Sequence, residues 1–192
     1  MHFKLEGPVG YDAQQPRIIY FAHGRESGPW GSKILALADV ARSKGYRVES
    51  PDYSDLMDAD KRVERLLALC DAGGADVLVG SSMGGYVSAV ASSVIKPRVL
   101  FLMAPALYMH GYAVQEPQPV AERTVIIHGW NDDIVPYRHS IRFAEKYSAQ
   151  LHLLDSDHRL NDQVELLSLL FGHLLDTVCN ALVEQDAKYG IF

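Results

Sequence analysis

The sequence predicts an α/β fold with one doubly wound, mostly parallel β-sheet and helices on both faces. Short apolar runs alternate with amphipathic segments, which is typical of repeated β–α units with right-handed crossovers. The central runs are apolar throughout instead of at every second residue, as expected for strands buried on both faces of a parallel sheet. The length of 192 residues suits a single domain with one substantial core, and no linker or repeat divides it.

Six runs are predicted as strands because they are short and, for the most part, apolar. In chain order they are Ile18–Ala22, Arg47–Ser50, Val77–Val79, Val99–Met103, Val125–Ile127 and Leu151–Leu154. Residues 1–16 are less regular, and they form either an antiparallel edge strand or a loose arm.

Five segments between these runs are predicted as helices, because apolar residues recur on one face. In chain order they are about Lys33–Ser43, Asp58–Ala72, Met83–Ile95, Arg138–Tyr147 and Leu160–Glu184. For example, Leu37, Val40 and Ala41 share one face of the first helix. Asp58 is placed to cap the second. The last segment either breaks or ends early, and 185–192 form a tail.

Composition excludes several classes of function. The 18 Lys and Arg are outnumbered by 24 Asp and Glu, and the net charge of −6 argues against a nucleic-acid partner, which needs basic clusters. The longest apolar stretch, Val99 to Met109, is broken by Pro105 and is too short to span a membrane. The N-terminus lacks the apolar core of a signal peptide, and the two cysteines predict no disulfide framework. We therefore expect a cytoplasmic protein.

Ser82 lies between two glycines in the motif Gly80-x-Ser82-x-Gly84, directly after the apolar run Val77–Val79. This G-x-S-x-G pattern is typical of a nucleophile elbow, a tight strand–turn–helix that exposes the serine hydroxyl. Side chains at the glycines would collide with the neighbouring strand and helix. The helix that begins at Met83 brings unpaired N–H groups beside the hydroxyl. A Gly-rich turn with an incidental serine has the same pattern, so the motif needs support from other residues.

An acid and a histidine follow two later strands of the predicted sheet. Asp132 lies in the segment after Val125–Ile127, and His158 comes after Leu151–Leu154 and before the last long helix. Because ligands of an open α/β sheet bind at the carboxyl ends of its strands, we expect Ser82, Asp132 and His158 to meet there.

From about Ile18 to Asp176 the chain resembles small, capless α/β-hydrolases similar to compact bacterial carboxylesterases. The matching motifs are His23-Gly24, Gly80-x-Ser82-x-Gly84, His128-Gly129-x-x-Asp132-x-x-Val135-Pro136 and the late His158. The chain order Ser, Asp, His is also that of this family. The resemblance implies that Ser82 is the nucleophile, His158 the base and Asp132 the acid. Asp133 is a rival for the acid, but the motif spacing favours Asp132.

The resemblance also implies an oxyanion hole formed by the backbone N–H groups of Met83 and Arg25. Trp30, Tyr108 and Trp130 lie near the predicted strand ends and are candidates for contacts with substrate, since such pockets are mostly apolar.

No metal or cofactor is expected. Asp155 and Asp157 are interpreted as solvated loop acids, and the acidic stretch from Asp52 to Asp60 lacks the glycine and the terminal glutamate of a calcium loop. His23 and His128 precede glycines at strand ends and are interpreted as structural residues beneath the loops.

These residues predict a serine hydrolase that acts on a small-molecule ester or thioester through an acyl-enzyme on Ser82. Acyl transfer, peptide hydrolysis and carbon–carbon cleavage are alternatives on the same scaffold, and a binding protein without turnover is a separate class. The interval Ala104–Glu122 is too short for a cap domain, so we expect an open site. Lys188–Phe192 either docks on the body or on a second copy, as in a homodimer, or frays.

Overall fold

The computed structural model describes residues 17–70 and 74–189, and the side chains among them up to residue 178. Within these residues, six strands form one all-parallel sheet flanked by helices. The strands are β1 (Ile18–Ala22), β2 (Arg47–Glu49), β3 (Val77–Ser81), β4 (Val99–Met103), β5 (Arg123–Gly129) and β6 (Gln150–Leu154). The helices are α1 (Ser32–Ser43), α2 (Ala59–Cys70), α3 (Met83–Ile95), α4 (Tyr137–Tyr147) and α5 (Val164–Tyr189).

The strands lie in the order β2-β1-β3-β4-β5-β6, so the direction of winding reverses between β1 and β3. Successive residues of a strand pack into two different cores. Ile19 and Phe21 of β1 pack with α1 and α5, whereas Tyr20 and Ala22 pack with α2 and α3. Because both faces are covered, all five residues of β4 are buried, which is the reason the central runs are apolar at every position. The predicted doubly wound α/β class is confirmed.

The observed bounds of β1, β4 and α3 equal the predicted ones, and the other elements differ at their ends. β5 begins earlier than its apolar run because Arg123 still pairs with Val99 of β4. The last predicted helix breaks into a short 3-10 turn, Asn161–Gln163, followed by α5. α5 continues to Tyr189, beyond the predicted helix end at Glu184. The edge strand or arm predicted at 1–16 and the end of the chain at 190–192 lie outside the described residues.

The carboxyl ends of β1, β3, β5 and β6 meet at one edge of the molecule. The segment between β4 and β5, residues 104–122, forms no helix or strand and runs past the end of β3. Its Ala106 N–H donates to Ser82 O at 2.9 Å. In the described ranges, no helix combines the length and the hydropathy that crossing a membrane requires.

Candidate active site

Ser82 occupies the turn between β3 and α3 in a conformation that few residues other than glycine adopt. Its φ is 53° and its ψ is −118°, and such backbone strain costs on the order of 1–3 kcal/mol. The Ser82 N–H donates to Met103 O at 2.9 Å. Ser82 O accepts the N–H groups of Gly85 and Ala106, both at 2.9 Å. These hydrogen bonds to the end of β4, to α3 and to the following segment hold the strained turn in place.

Close backbone contacts require the two glycines of the elbow. A Cβ on Gly80 would lie 2.3 Å from the carbonyl oxygen of Gly84, and a Cβ on Gly84 would lie 1.9 Å from that of Ala22. The absence of side chains lets α3 begin directly against the ends of β1 and β3. The N-terminus of α3, with its positive dipole end, therefore lies beside Ser82.

His158 reaches Ser82 from the loop after β6. Its Nε2 lies 2.9 Å from Ser82 Oγ, and its Nδ1 lies 2.7 Å from Asp132 Oδ2. A carboxylate only accepts hydrogen bonds, so Nδ1 carries a proton and Nε2 accepts the Ser82 hydroxyl proton. Gly129 permits this approach, because a Cβ there would lie 2.2 Å from the carbonyl oxygen of Ser156, in the loop that carries His158.

The Asp132 side chain is fully buried, and both of its oxygens accept hydrogen bonds. Oδ1 accepts the N–H groups of Ile134 at 2.9 Å and Val135 at 2.8 Å. Oδ2 accepts His158 at 2.7 Å and His128 at 2.8 Å. Burial raises the pKa of Asp132, but these four hydrogen bonds outweigh burial and hold the pKa well below its ordinary value. Asp132 is therefore a carboxylate at neutral pH, the form that orients a histidine and balances its positive charge.

His128 also belongs to the site. The sequence predicted it as a structural residue beneath the loops and did not predict its contact with Asp132. His128 is fully buried, its Nε2 lies 2.8 Å from Asp132 Oδ2 and its Nδ1 lies 2.7 Å from Ser140 Oγ. Because a carboxylate only accepts hydrogen bonds, Nε2–H of His128 donates to Asp132. The spacing of His128 and Asp132 in the H-G-x-x-D motif was the available signal. The rival Asp133 is exposed and takes part in no described hydrogen bond with His158.

The predicted oxyanion donors, Met83 and Arg25, belong to two segments that meet at Ser82. Met83 is the first residue of α3. Arg25 follows β1 in a loop that approaches the elbow closely, since a Cβ on Gly24 would lie 3.5 Å from Ser82 Cβ. Among the hydrogen bonds described outside regular helices and strands, the backbone N–H of neither residue is a donor. Both amides can therefore donate to an oxygen that gains negative charge near Ser82.

The three aromatic side chains predicted to contact substrate pack against helices. Trp30 lies against the guanidinium of Arg42 on α1, with 5.5 Å between that group and the ring centroid. Tyr108 and Trp130 each pack edge-on against a ring of α4. No described contact joins any of the three to the Ser82–His158–Asp132 array, so their role in binding substrate stays a prediction.

The acids of the loop after β6 make hydrogen bonds within that loop and to the loop after β5. Asp157 Oδ1 accepts the N–H groups of Arg159 and Leu160, and Asp155 accepts the side-chain amide of Asn131. In the part of the chain that the structure describes, no group of three or more His, Cys, Asp or Glu side chains is arranged to hold a metal ion.

Solved and curated proteins are similar to this chain in fold and in sequence. No protein-family profile matches the chain. A solved hydrolase of the α/β superfamily from Xanthomonas campestris is 36% identical, and the match covers 84% of this chain and 99% of that one with a TM-score of 0.77. A second solved structure from Xanthomonas campestris, an α/β serine hydrolase without a lid, is 22% identical over 81% of this chain and 79% of that one, with a TM-score of 0.55. The curated bovine protein "Palmitoyl-protein thioesterase ABHD10, mitochondrial" is 24% identical over 82% of this chain and 72% of its own length.

Proposed function

This chain belongs to the α/β-hydrolase superfamily, and from the geometry of its site we propose that it is a serine hydrolase that cleaves a small ester or thioester through an acyl-enzyme on Ser82. One observation carries the proposal: hydrogen bonds run without interruption from Ser82 Oγ through His158 to the buried Asp132 carboxylate. A serine hydroxyl is a weak nucleophile at neutral pH, and an adjacent base that is oriented by a third group activates it.

In the acylation step, Ser82 Oγ attacks the substrate carbonyl carbon while His158 Nε2 takes the hydroxyl proton. The carbonyl oxygen gains a negative charge, which the N–H groups of Met83 and Arg25 stabilise. His158 then donates its proton to the leaving oxygen or sulfur, and the bond from carbon to that atom breaks. The products are a free alcohol or thiol and Ser82 acylated on Oγ.

In the deacylation step, a water molecule attacks the acyl carbon and His158 takes a proton from it. The second tetrahedral intermediate uses the same two N–H donors. Collapse of this intermediate releases the carboxylic acid and returns the proton to Ser82. Asp132 accepts a hydrogen bond from His158 Nδ1–H throughout and stabilises the imidazolium that forms in each step.

Two relatives support the choice of substrates. The curated relative named a palmitoyl-protein thioesterase supports testing thioesters beside esters. The solved neighbour without a lid, together with a segment 104–122 that has no helix or strand, supports a site that small substrates reach directly.

The first test compares hydrolysis of short p-nitrophenyl esters and acyl-thioesters by the wild type and two serine variants. We expect Ser82→Ala to lower kcat by at least roughly 10³-fold, as in other serine enzymes without their nucleophile. The adjacent Ser81→Ala is the matched control and keeps the wild-type rate. Equal hydrolysis by wild type and Ser82→Ala rules out the proposal.

The second test identifies the labelled residue. A fluorophosphonate reacts with an activated serine and should modify Ser82 in the wild type, as read by mass spectrometry of the peptides. Labelling of another residue while Ser82 stays unmodified argues against the assignment.

If Ser82 is acylated and added alcohols or amines capture most of the acyl group, the enzyme is a transferase. If neither labelling nor hydrolysis occurs, the fold serves binding without turnover.

A further inference from the structure

Arg62 is a fully buried arginine that the proposed mechanism leaves unused. It lies on α2, on the same face as Leu66 and Cys70, and its side chain has no exposed surface. No ion pair described for the chain joins its guanidinium to a carboxylate. Its ring neighbour is Tyr53, whose centroid lies 5.5 Å from the guanidinium carbon. Burial of a cation without an anionic partner costs free energy. The contacts of Arg62 therefore indicate why the fold buries it.

The polar contacts of Arg62 are all with backbone carbonyl groups. Its Nε donates to Leu56 O at 2.7 Å. Its Nη1 donates to both His23 O and Gly24 O at 3.2 Å. Its Nη2 is buried without a described partner. Two of these three carbonyl groups belong to the loop after β1, the loop that carries the Arg25 N–H.

The His23 side chain is a second donor to one of these carbonyl oxygens, Gly24 O. The N–H of Tyr53 donates to His23 Nε2 at 2.9 Å, so Nε2 carries no proton and the ring proton is on Nδ1. That Nδ1–H donates to Gly24 O at 2.7 Å. Burial lowers the pKa of His23, and the neighbouring charge of Arg62 lowers it as well. The ring therefore stays neutral and keeps this tautomer at neutral pH.

The carbonyl of Gly24 and the N–H of Arg25 belong to one peptide group. Donors at the oxygen of a peptide draw electron density toward it and make its N–H a stronger donor, as in any cooperative chain of hydrogen bonds. Gly24 O receives two donors, one of them charged, while Gly24 itself lies against the elbow.

We propose that Arg62 is a positioning residue of the oxyanion hole, which holds the Gly24–Arg25 peptide against Ser82 and polarises the Arg25 N–H toward the substrate oxygen. Arg62 acts through this peptide and does not touch the substrate. The inference rests on the proposed function, because the Arg25 N–H has this task only when Ser82 attacks a carbonyl or phosphonyl group.

The kinetic test uses Arg62→Met, Arg62→Lys and the control Arg65→Met. Arg65 lies on the same helix, pairs with the exposed Asp55 and donates to Asp52 O at 2.8 Å. Its substitution therefore removes a guanidinium without removing a direct donor to the His23 and Gly24 carbonyl groups. We expect Arg62→Met to lower kcat by about 10- to 100-fold with little change in KM, less than the roughly 10²- to 10³-fold loss when an oxyanion donor is deleted. Fluorophosphonate labelling should slow by a similar factor. Arg62→Lys keeps the charge and should recover part of the rate.

An NMR experiment tests the polarisation of the Gly24–Arg25 peptide group in protein that does not turn over substrate. In Ser82→Ala protein, the NMR chemical shift of the Arg25 amide proton should move upfield when Arg62→Met is added. It should not change when Arg65→Met is added instead. A role confined to stability predicts a lower unfolding midpoint with unchanged kcat and an unchanged Arg25 resonance.

The outcomes separate the two proposals. If the wild type neither hydrolyses esters nor labels at Ser82, the proposed function fails, and the Arg25 resonance still tests the polarisation. If the wild type labels and folded Arg62→Met labels at the same rate, the role of Arg62 is refuted. If Arg62→Met does not fold, the neutral variant Arg62→Gln replaces it. A folded Arg62→Gln enzyme with wild-type kcat and an unmoved Arg25 resonance also refutes the role of Arg62.

Discussion

The same glycine-to-alanine substitution should have opposite effects in two helices of this protein. Gly84 lies in the first turn of α3, and Gly172 lies in the interior of α5. Alanine favours a helix over glycine by about 1 kcal/mol, so propensity alone predicts a gain at both positions. A Cβ at Gly172 would make ordinary contacts, 3.4 Å from Val40 Cγ1 and 3.6 Å from Lys44 Cε. We therefore expect Gly172→Ala to raise the free energy of unfolding by roughly 0.5–1 kcal/mol.

At Gly84 the packing makes the same substitution destabilising. The Cβ would lie 1.9 Å from Ala22 O and 2.8 Å from His23 O, and both are backbone atoms that cannot rotate away. Because Cβ atoms essentially never lie within 3.0 Å of such an atom, the start of α3 must move by about 1 Å. Overpacking of this kind costs about 1–3 kcal/mol, and a displacement of about 1 Å at a reacting group costs roughly 100-fold in rate.

The assay combines urea unfolding with ester hydrolysis for Gly84→Ala, Gly172→Ala and Gly28→Ala. Gly28 is the neutral control, because no atom lies within 4 Å of a Cβ built there, and its substitution should change stability by less than about 0.5 kcal/mol. If Gly84→Ala keeps both the stability and the rate of the wild type, α3 does not lie against β1 as described, and the reasoning fails.

Three further predictions concern the acid and the loop behind it. Gly129→Ala should displace the loop after β6, whose Ser156 O would lie 2.2 Å from the new Cβ, and lower kcat by roughly 100-fold. His128→Phe removes a donor to buried Asp132 and leaves Ser140 Oγ unpaired, so urea unfolding should show a loss of about 1–3 kcal/mol. The lowered pKa of Asp132 means that its carboxylate stabilises the fold above its ordinary pKa of 3.8 and that this contribution is lost as the pH falls further. The difference in unfolding free energy between wild type and Asp132→Asn should therefore be largest near neutral pH and shrink toward pH ~3.

The three residues of the candidate site were predictable as a group because each follows the carboxyl end of a strand in one parallel sheet. Ser82, Asp132 and His158 follow β3, β5 and β6, and a parallel sheet brings these ends to one edge whatever the details of packing. Element ends were harder to predict, because pairing with a neighbour continues past the apolar run. Arg123 and Thr124 extend β5 in this way, although neither is an apolar residue.

The supporting groups were missed for a different physical reason. Arg62 lies on the apolar face of α2 with Leu66 and Cys70, and a charged residue there contradicts the helical pattern. That departure from the helical pattern was the feature of the sequence that could have drawn attention to Arg62. What the arginine contacts, however, depends on where the loop after β1 crosses α2, and no local pattern specifies that crossing. The same holds for His128, whose second partner, Ser140, comes from α4.

Helix α2 connects the two segments that flank Ser82, although it carries no residue of the reacting array. Arg62 holds the carbonyl groups of the loop after β1. Two residues earlier, Asp60 accepts the N–H of Ala113 from the segment 104–122 and the hydroxyl of Tyr86 from α3. A shift of α2 would therefore move the loop after β1 and the segment 104–122 together. Helix α2 thus contacts both segments that flank Ser82, so the geometry of the proposed site depends in part on residues outside the G-x-S-x-G and H-G-x-x-D motifs.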